Sequence, residues 1–138
     1  MTIFTSENRA GTNFSTYDVS WYYTDVVGGN GMDNVNFNFN GYVYQDVVQL
    51  YLNDGYDITI GGHDIVAGPN YSVLAGYMTG LYEYDVNAGN FSVKIEGFEV
   101  DAVAFYNAMI TPSTADELAL LDSILAGDDT ITLASGSD

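Results

Sequence analysis

The chain has 138 residues, 19 acidic against 2 basic (Arg9 and Lys94), for a formal charge of −17. Phosphate recognition needs clustered Lys and Arg, so nucleic acid is excluded as a partner and an anionic membrane surface is disfavoured. Cysteine is absent, which removes disulfides and thiolate chemistry, and no run approaches the roughly eighteen apolar residues of a membrane helix.

With 47% hydrophobic and 14% aromatic residues, the chain can bury one core. Met1 to Arg9 has neither a basic start nor an apolar stretch, so no N-terminal export signal is expected. Around Thr16 to Tyr23, Tyr17, Trp21 and Val27 fall near helical spacing, and a short helix capped by Ser15 or Thr16 is predicted. Gly28-Gly29-Asn30-Gly31 then reads as a loop.

Asn34 to Asn40 alternates strictly, with Val35, Phe37 and Phe39 on one side and four Asn on the other, which predicts a half-buried strand. Tyr42 to Leu52 is apolar at several spacings and fits strand or helix. Tyr56 to Ile60 alternates again and runs into Gly61-Gly62-His63, read as a turn. Tyr71 to Val86 predicts one long or two short strands, punctuated by Gly76 and Gly80. Phe91 to Glu96 alternates, and Gly97 lets the phase slip so that Phe98 and Val100 resume on one face.

The last third is helical in pattern. Asp101 to Ile110 forms a helix that stops before Pro112. Thr114-Ala115-Asp116-Glu117 reads as a capping box, opening a second helix over 115–126. Its Leu118, Leu121, Ile124 and Leu125 are the expected buried stripe, and Gly127 is the expected stop. Together these elements predict an α+β domain over 1–126, a meander of antiparallel strands with helices packed on one face.

After that helix, Gly127-Asp128-Asp129-Thr130-Ile131 reads G-x-D-x-U, and Gly136-Ser137-Asp138 starts the phrase again nine residues later. This period resembles the calcium-binding nonapeptide β-roll repeat, although Ile124-Leu125 and Leu133-Ala134 replace its leading glycine pair. The resemblance makes Asp128, Asp129 and Asp138 candidate calcium ligands and residues 127–138 the start of repeats or a tail. Asp46, Asp54, Asp57, Asp64 and Asp85 lie on or beside predicted turns and form a second acidic set, without EF-hand spacing.

The order of elements resembles the secreted bacterial haemophores. The correspondence runs from Phe14-Ser15-Thr16-Tyr17-Asp18-Val19-Ser20-Trp21 through Tyr71-Ser72-Val73-Leu74-Ala75-Gly76 and Phe91 to Phe98. It ends at Phe105-Tyr106-Asn107-Ala108-Met109 and Leu118 to Leu125. In that family haem sits between two loops; the first usually supplies a His, the second a Tyr with a His beside it. Here the first loop aligns with Gly28-Gly29-Asn30-Gly31 and lacks its His, while the second aligns with His63 to Tyr71. His63 falls where the family has Tyr, and Tyr71 where it has His, so the pair is exchanged.

Two functions are therefore expected from different classes. One is a secreted, extracellular, non-enzymatic bacterial haem carrier using Tyr71 and His63. The other is a calcium-ordered structural or adhesive module that self-associates. Signatures of nucleophilic, phosphate-loop or zinc-hydrolase chemistry are missing from the sequence.

Overall fold

The computed structural model describes residues 1–7 and 17–132. Most of the alternating runs form strands of one sheet. Strand β1 covers Ile3–Thr5, helix α1 Trp21–Thr24, and strand β2 Val26–Met32. Strands β3 (Phe37–Phe39), β4 (Tyr42–Tyr44), β5 (Asp46–Leu52), β6 (Tyr56–Ala67), β7 (Val73–Asp85) and β8 (Asn90–Asp101) follow. Helices α2 (Ala102–Ile110) and α3 (Thr114–Ile124) and strand β9 (Thr130–Thr132) complete the order. The protein is α+β, with a seven-stranded sheet ordered β2-β5-β6-β7-β8-β1-β9 and a two-stranded sheet of β3 and β4.

Strands β5 to β8 make an antiparallel meander. Its β7–β8 turn is tied by the Asp85 carboxylate, which accepts from the amides of Asn87 and Ala88, both at 2.9 Å. Gly97 has φ +75°, and the register against β7 shifts between the pairs Gly80–Glu96 and Met78–Val100. The slip returns Phe98 and Val100 to the buried side already occupied by Val93 and Ile95, as the sequence phase implied.

The helices cover one face. Ile58, Leu81 and Ile95 of the sheet share a core cluster with Phe105, Met109, Leu121 and Ile124 of the helices. Asp101 caps α2, its carboxylate accepting from the amides of Val103 and Ala104. In α3 the cap is Ser113 and not Thr114: Ser113 is extended (φ −118°, ψ 136°) and its hydroxyl accepts from the Ala115 amide. The helix begins one residue early, and its docking on the sheet buries Glu117, Leu121 and Ile124, leaving Leu118 exposed and Leu125 half-buried. Glu117, expected to reach back to the cap, is instead a core residue.

Three more expectations are corrected. Among the described residues the N-terminal helix is the four residues of α1, because Val26 enters β2 directly; its expected caps, Ser15 and Thr16, lie outside the described residues. The Asn34–Asn40 run does not make a strand of the main sheet. Asn34, Asn36 and Asn40 have φ of +54°, +48° and +52°, a left-handed conformation that asparagine tolerates and that breaks the pleat. Only Phe37–Phe39 remains extended, paired with β4, and Val35 and Phe37 are exposed. The Gly61-Gly62-His63 segment lies inside β6 and is not a turn.

The β3–β4 hairpin roofs the sheet face turned away from the helices. Phe39 packs edge-on against Tyr82, with ring centroids 4.7 Å apart. Tyr44 lies over the paired glycines Gly61 and Gly80, where any Cβ would overlap its ring. Tyr44 and Tyr82 share a hydroxyl hydrogen bond, Tyr82 donates to Glu96 at 2.7 Å, and Asn40 donates to the same carboxylate at 2.9 Å. The buried Glu96 therefore ties hairpin to sheet.

Candidate functional site

Strand β6 ends at Ala67, and a single 3₁₀ turn, Pro69–Tyr71, leads into β7. Pro-Asn is a turn signal, and here Asn70 and Tyr71 both adopt left-handed backbone, at φ +55° and +60°. For a tyrosine this conformation costs on the order of 1–3 kcal/mol and persists only where neighbouring structure enforces it. The enforcement is visible: the Gly68 amide donates to the Ser72 carbonyl at 2.7 Å. The Ser72 amide and hydroxyl donate to the Pro69 carbonyl at 3.1 and 2.7 Å. Tyr71 is thus the fourth residue of the closed Gly68–Ser72 loop, not the start of a strand.

The turn aims the Tyr71 ring at β2. A Cβ on Gly29 would stand 3.0 Å from the Tyr71 ring and 2.8 Å from the Gln49 carbonyl, so the close approach depends on glycine there. Between the turn and β2 lies a cleft of about 420 Å³, lined by residues that include Gly29, Gly31, Ala67, Asn70, Tyr71 and Val73. None of its lining residues is charged. Tyr71 also borders a small apolar hollow of about 30 Å³ against Phe105, Tyr106 and Met109, the size of one water. Tyr71 remains 47% exposed.

A neighbouring cavity of about 530 Å³ shares Gly31, Val48 and Ala67 with the cleft but is acidic, with Asp33, Asp46 and Asp64 in its wall. Asp46 is 3% exposed, and both oxygens are used: one accepts from the Asn34 amide at 3.0 Å, the other from the Ile65 amide at 2.8 Å. It fastens the β2–β3 loop and the far end of β6 to β5. Among the described residues no three His, Cys, Asp or Glu side chains gather closely enough to hold a metal ion.

His63 is not brought to Tyr71. It pairs across the ladder with Tyr77 and stacks on that ring at 5.2 Å between centroids. Its Nδ1 lies 2.9 Å from Asp64 Oδ2 and its Nε2 3.2 Å from Glu99 Oε2. The hydrogen bond to Asp64, then that to Glu99, raises its pKa above the ordinary imidazole value. His63 lines neither the cleft nor the hollow. The strand alternation explains this: Gly62 pairs with Met78, which is buried in the helical core, so His63 turns to the opposite side. The exchanged pair of the sequence is therefore not a spatial pair, and Tyr71 has no histidine base beside it.

Of the terminal acidic residues, Asp138 lies outside the described residues. Asp128 is exposed. One Asp129 oxygen accepts from the Thr2 amide at 2.7 Å, and the other is buried without a partner. The G-x-D-x-U phrase folds as a turn, with Gly127 at φ +136°, followed by β9, in which Ile131 pairs in parallel with Phe4. Segment 127–132 thus adds a strand to the main sheet.

The residue missed in sequence is Gly29, whose glycine-rich stretch forms an edge strand and not the expected loop. Among the described residues no helix is long and apolar enough to cross a membrane. No family model, curated protein or solved structure matches the chain.

Proposed function

We propose that this protein is a secreted, non-enzymatic haem-binding protein of haemophore type, taking haem into the cleft between β2 and the Gly68–Ser72 turn. The carrying observation is the left-handed Tyr71, held by its closed turn against Gly29 in the one large cleft described whose walls are uncharged. A chain of net charge −17 repels an anionic porphyrin, and an uncharged apolar cleft is where that repulsion is least. Tyr71 supplies the phenolate that ligates ferric iron; His63, engaged by Asp64 and Glu99, takes no part.

The test is a haemin titration followed in the Soret region. Wild type should give a saturable band distinct from free haemin. Tyr71→Phe, which keeps the ring and removes the oxygen, should abolish that band, and His63→Ala should leave it. Equal spectra for wild type and Tyr71→Phe overturn the assignment.

A second reading, a calcium-ordered self-associating module, draws on the turn-then-strand course of 127–132 and the unpartnered Asp129 oxygen. Here the melting temperature should rise more in millimolar calcium than in sodium chloride of equal ionic strength, and Asp129→Asn should remove the excess. Equal shifts in both salts mean charge screening alone.

A further inference from the structure

The sheet face roofed by the β3–β4 hairpin holds a cavity of about 190 Å³, separate from the Tyr71 cleft. Its floor follows from strand register. Tyr51 of β5 pairs with Asp57 of β6, Asp57 with Tyr84 of β7, and Tyr84 with Phe91 of β8. Directly opposed residues on neighbouring strands have Cβ atoms roughly 4.5–5.5 Å apart. One row across four strands therefore reads aromatic, carboxylate, aromatic, aromatic. Phe37 and Phe39, stacked at 6.0 Å between centroids, close the cavity from the hairpin.

Asp57 is the only charged residue lining this cavity. Its carboxylate makes no hydrogen bond or ion pair with a described residue. Among the described residues the one Lys or Arg side chain is already committed: Lys94 lies over the Phe91 ring at 5.3 Å and donates to Glu7 at 2.6 Å. That contact also shows a ring of this wall accepting a cation on its face. A lone carboxylate flanked by rings on the same row leaves too few oxygens for a hard metal ion, which takes six or more. An anion is repelled, and a neutral ligand leaves the carboxylate unpaired.

We propose that this pocket binds a small organic cation, a quaternary or alkylated ammonium group, with Asp57 as its counter-charge and Tyr51, Tyr84, Phe91 and Phe37 as aromatic walls. The cation loses water against ring surfaces that return part of its solvation through their quadrupoles, and the carboxylate supplies the remainder. The field of the −17 chain draws such a cation in, in contrast to its effect on haem.

The experiment titrates the full chain with choline at low salt, following tyrosine ring resonances by NMR. A parallel titration uses choline's uncharged isostere, with carbon in place of nitrogen. Choline should bind saturably, with a dissociation constant no weaker than on the order of tens of millimolar, and the isostere at least about tenfold more weakly. Asp57→Asn should weaken choline by about tenfold, whereas Asp122→Asn, which removes the same charge from an exposed site on α3, should not. Phe37→Leu, at the exposed rim, should weaken choline by several-fold without touching the sheet and serves if Asp57→Asn fails to fold. Equal binding of choline and isostere, equal effects of the two Asp changes, or no saturation overturns the proposal.

Discussion

Glu117 is where burial and charge conflict most directly. Its side chain is 1% exposed, neither carboxylate oxygen has a hydrogen-bond partner, and it stands beside Asp116, which is engaged by the Thr111 hydroxyl. Burial, reinforced by the charges of Asp116 and Asp18, pushes its pKa up from 4.5 to about 7. A shift of that size corresponds to at most roughly 3 kcal/mol, and relaxation of the surroundings around the charged form reduces it to about 1–2 kcal/mol. Because the folded-state pKa is the higher one, the folded chain holds the proton more tightly. The stabilisation is complete below about pH 4.5 and is lost as pH rises through about 7.

Glu117→Gln keeps the shape and removes the titration. Urea unfolding followed by the fluorescence of Trp21, the single tryptophan, should show the variant more stable than wild type by about 1–2 kcal/mol near pH 8. Near pH 4 the two should agree within about 0.5 kcal/mol, since a protonated carboxyl and an amide cost alike. A difference independent of pH, or a less stable variant at pH 8, means the carboxylate is solvated or paired, and the reasoning fails.

Two further perturbations probe the packing. Leu121→Ala, which empties a core position 6% exposed, should cost about 2–5 kcal/mol, and Leu118→Ala on the outer side of the same helix within about 0.5 kcal/mol; similar values for both would place the helix in the wrong rotation. Gly61→Ala drives a methyl into the Tyr44 ring and should cost about 1–3 kcal/mol in thermal or urea unfolding, whereas Gly31→Ala, with nothing within 4 Å, serves as its control. A neutral Gly61→Ala would mean that the hairpin does not sit on the sheet.

Period and capping chemistry are local, and what they encode was legible in the chain. The alternation over Tyr56–Ile60 and Phe91–Glu96, the slip at Gly97 and the stop before Pro112 all emerge as read. The α+β class follows from their order. The rotation of α3 was not legible, because residues 117, 121 and 124 and residues 118, 121 and 125 both have helical spacing, and only docking on the sheet places Glu117 in the core instead of Leu118. Nor was the fate of Asn34–Asn40: alternation favours a strand, but asparagine also admits left-handed backbone, and a roof over Tyr82 and Glu96 uses the second property.

The candidate sites divide in the same way. Tyr71 was visible as a residue of interest, but its aim depends on the closed turn and on the absence of a side chain at Gly29, two features far apart in the chain. His63 and Tyr71 are near in sequence and separated in space because strand pleating sends His63 to the face away from the helices. The aromatic row around Asp57 joins β5, β6, β7 and β8, and no local pattern states which residues of four strands stand abreast. Sequence determined the long central strands and the two C-terminal helices, since backbone propensity acts over a few residues. The sites awaited tertiary structure, since register is set by the burial of the whole sheet at once.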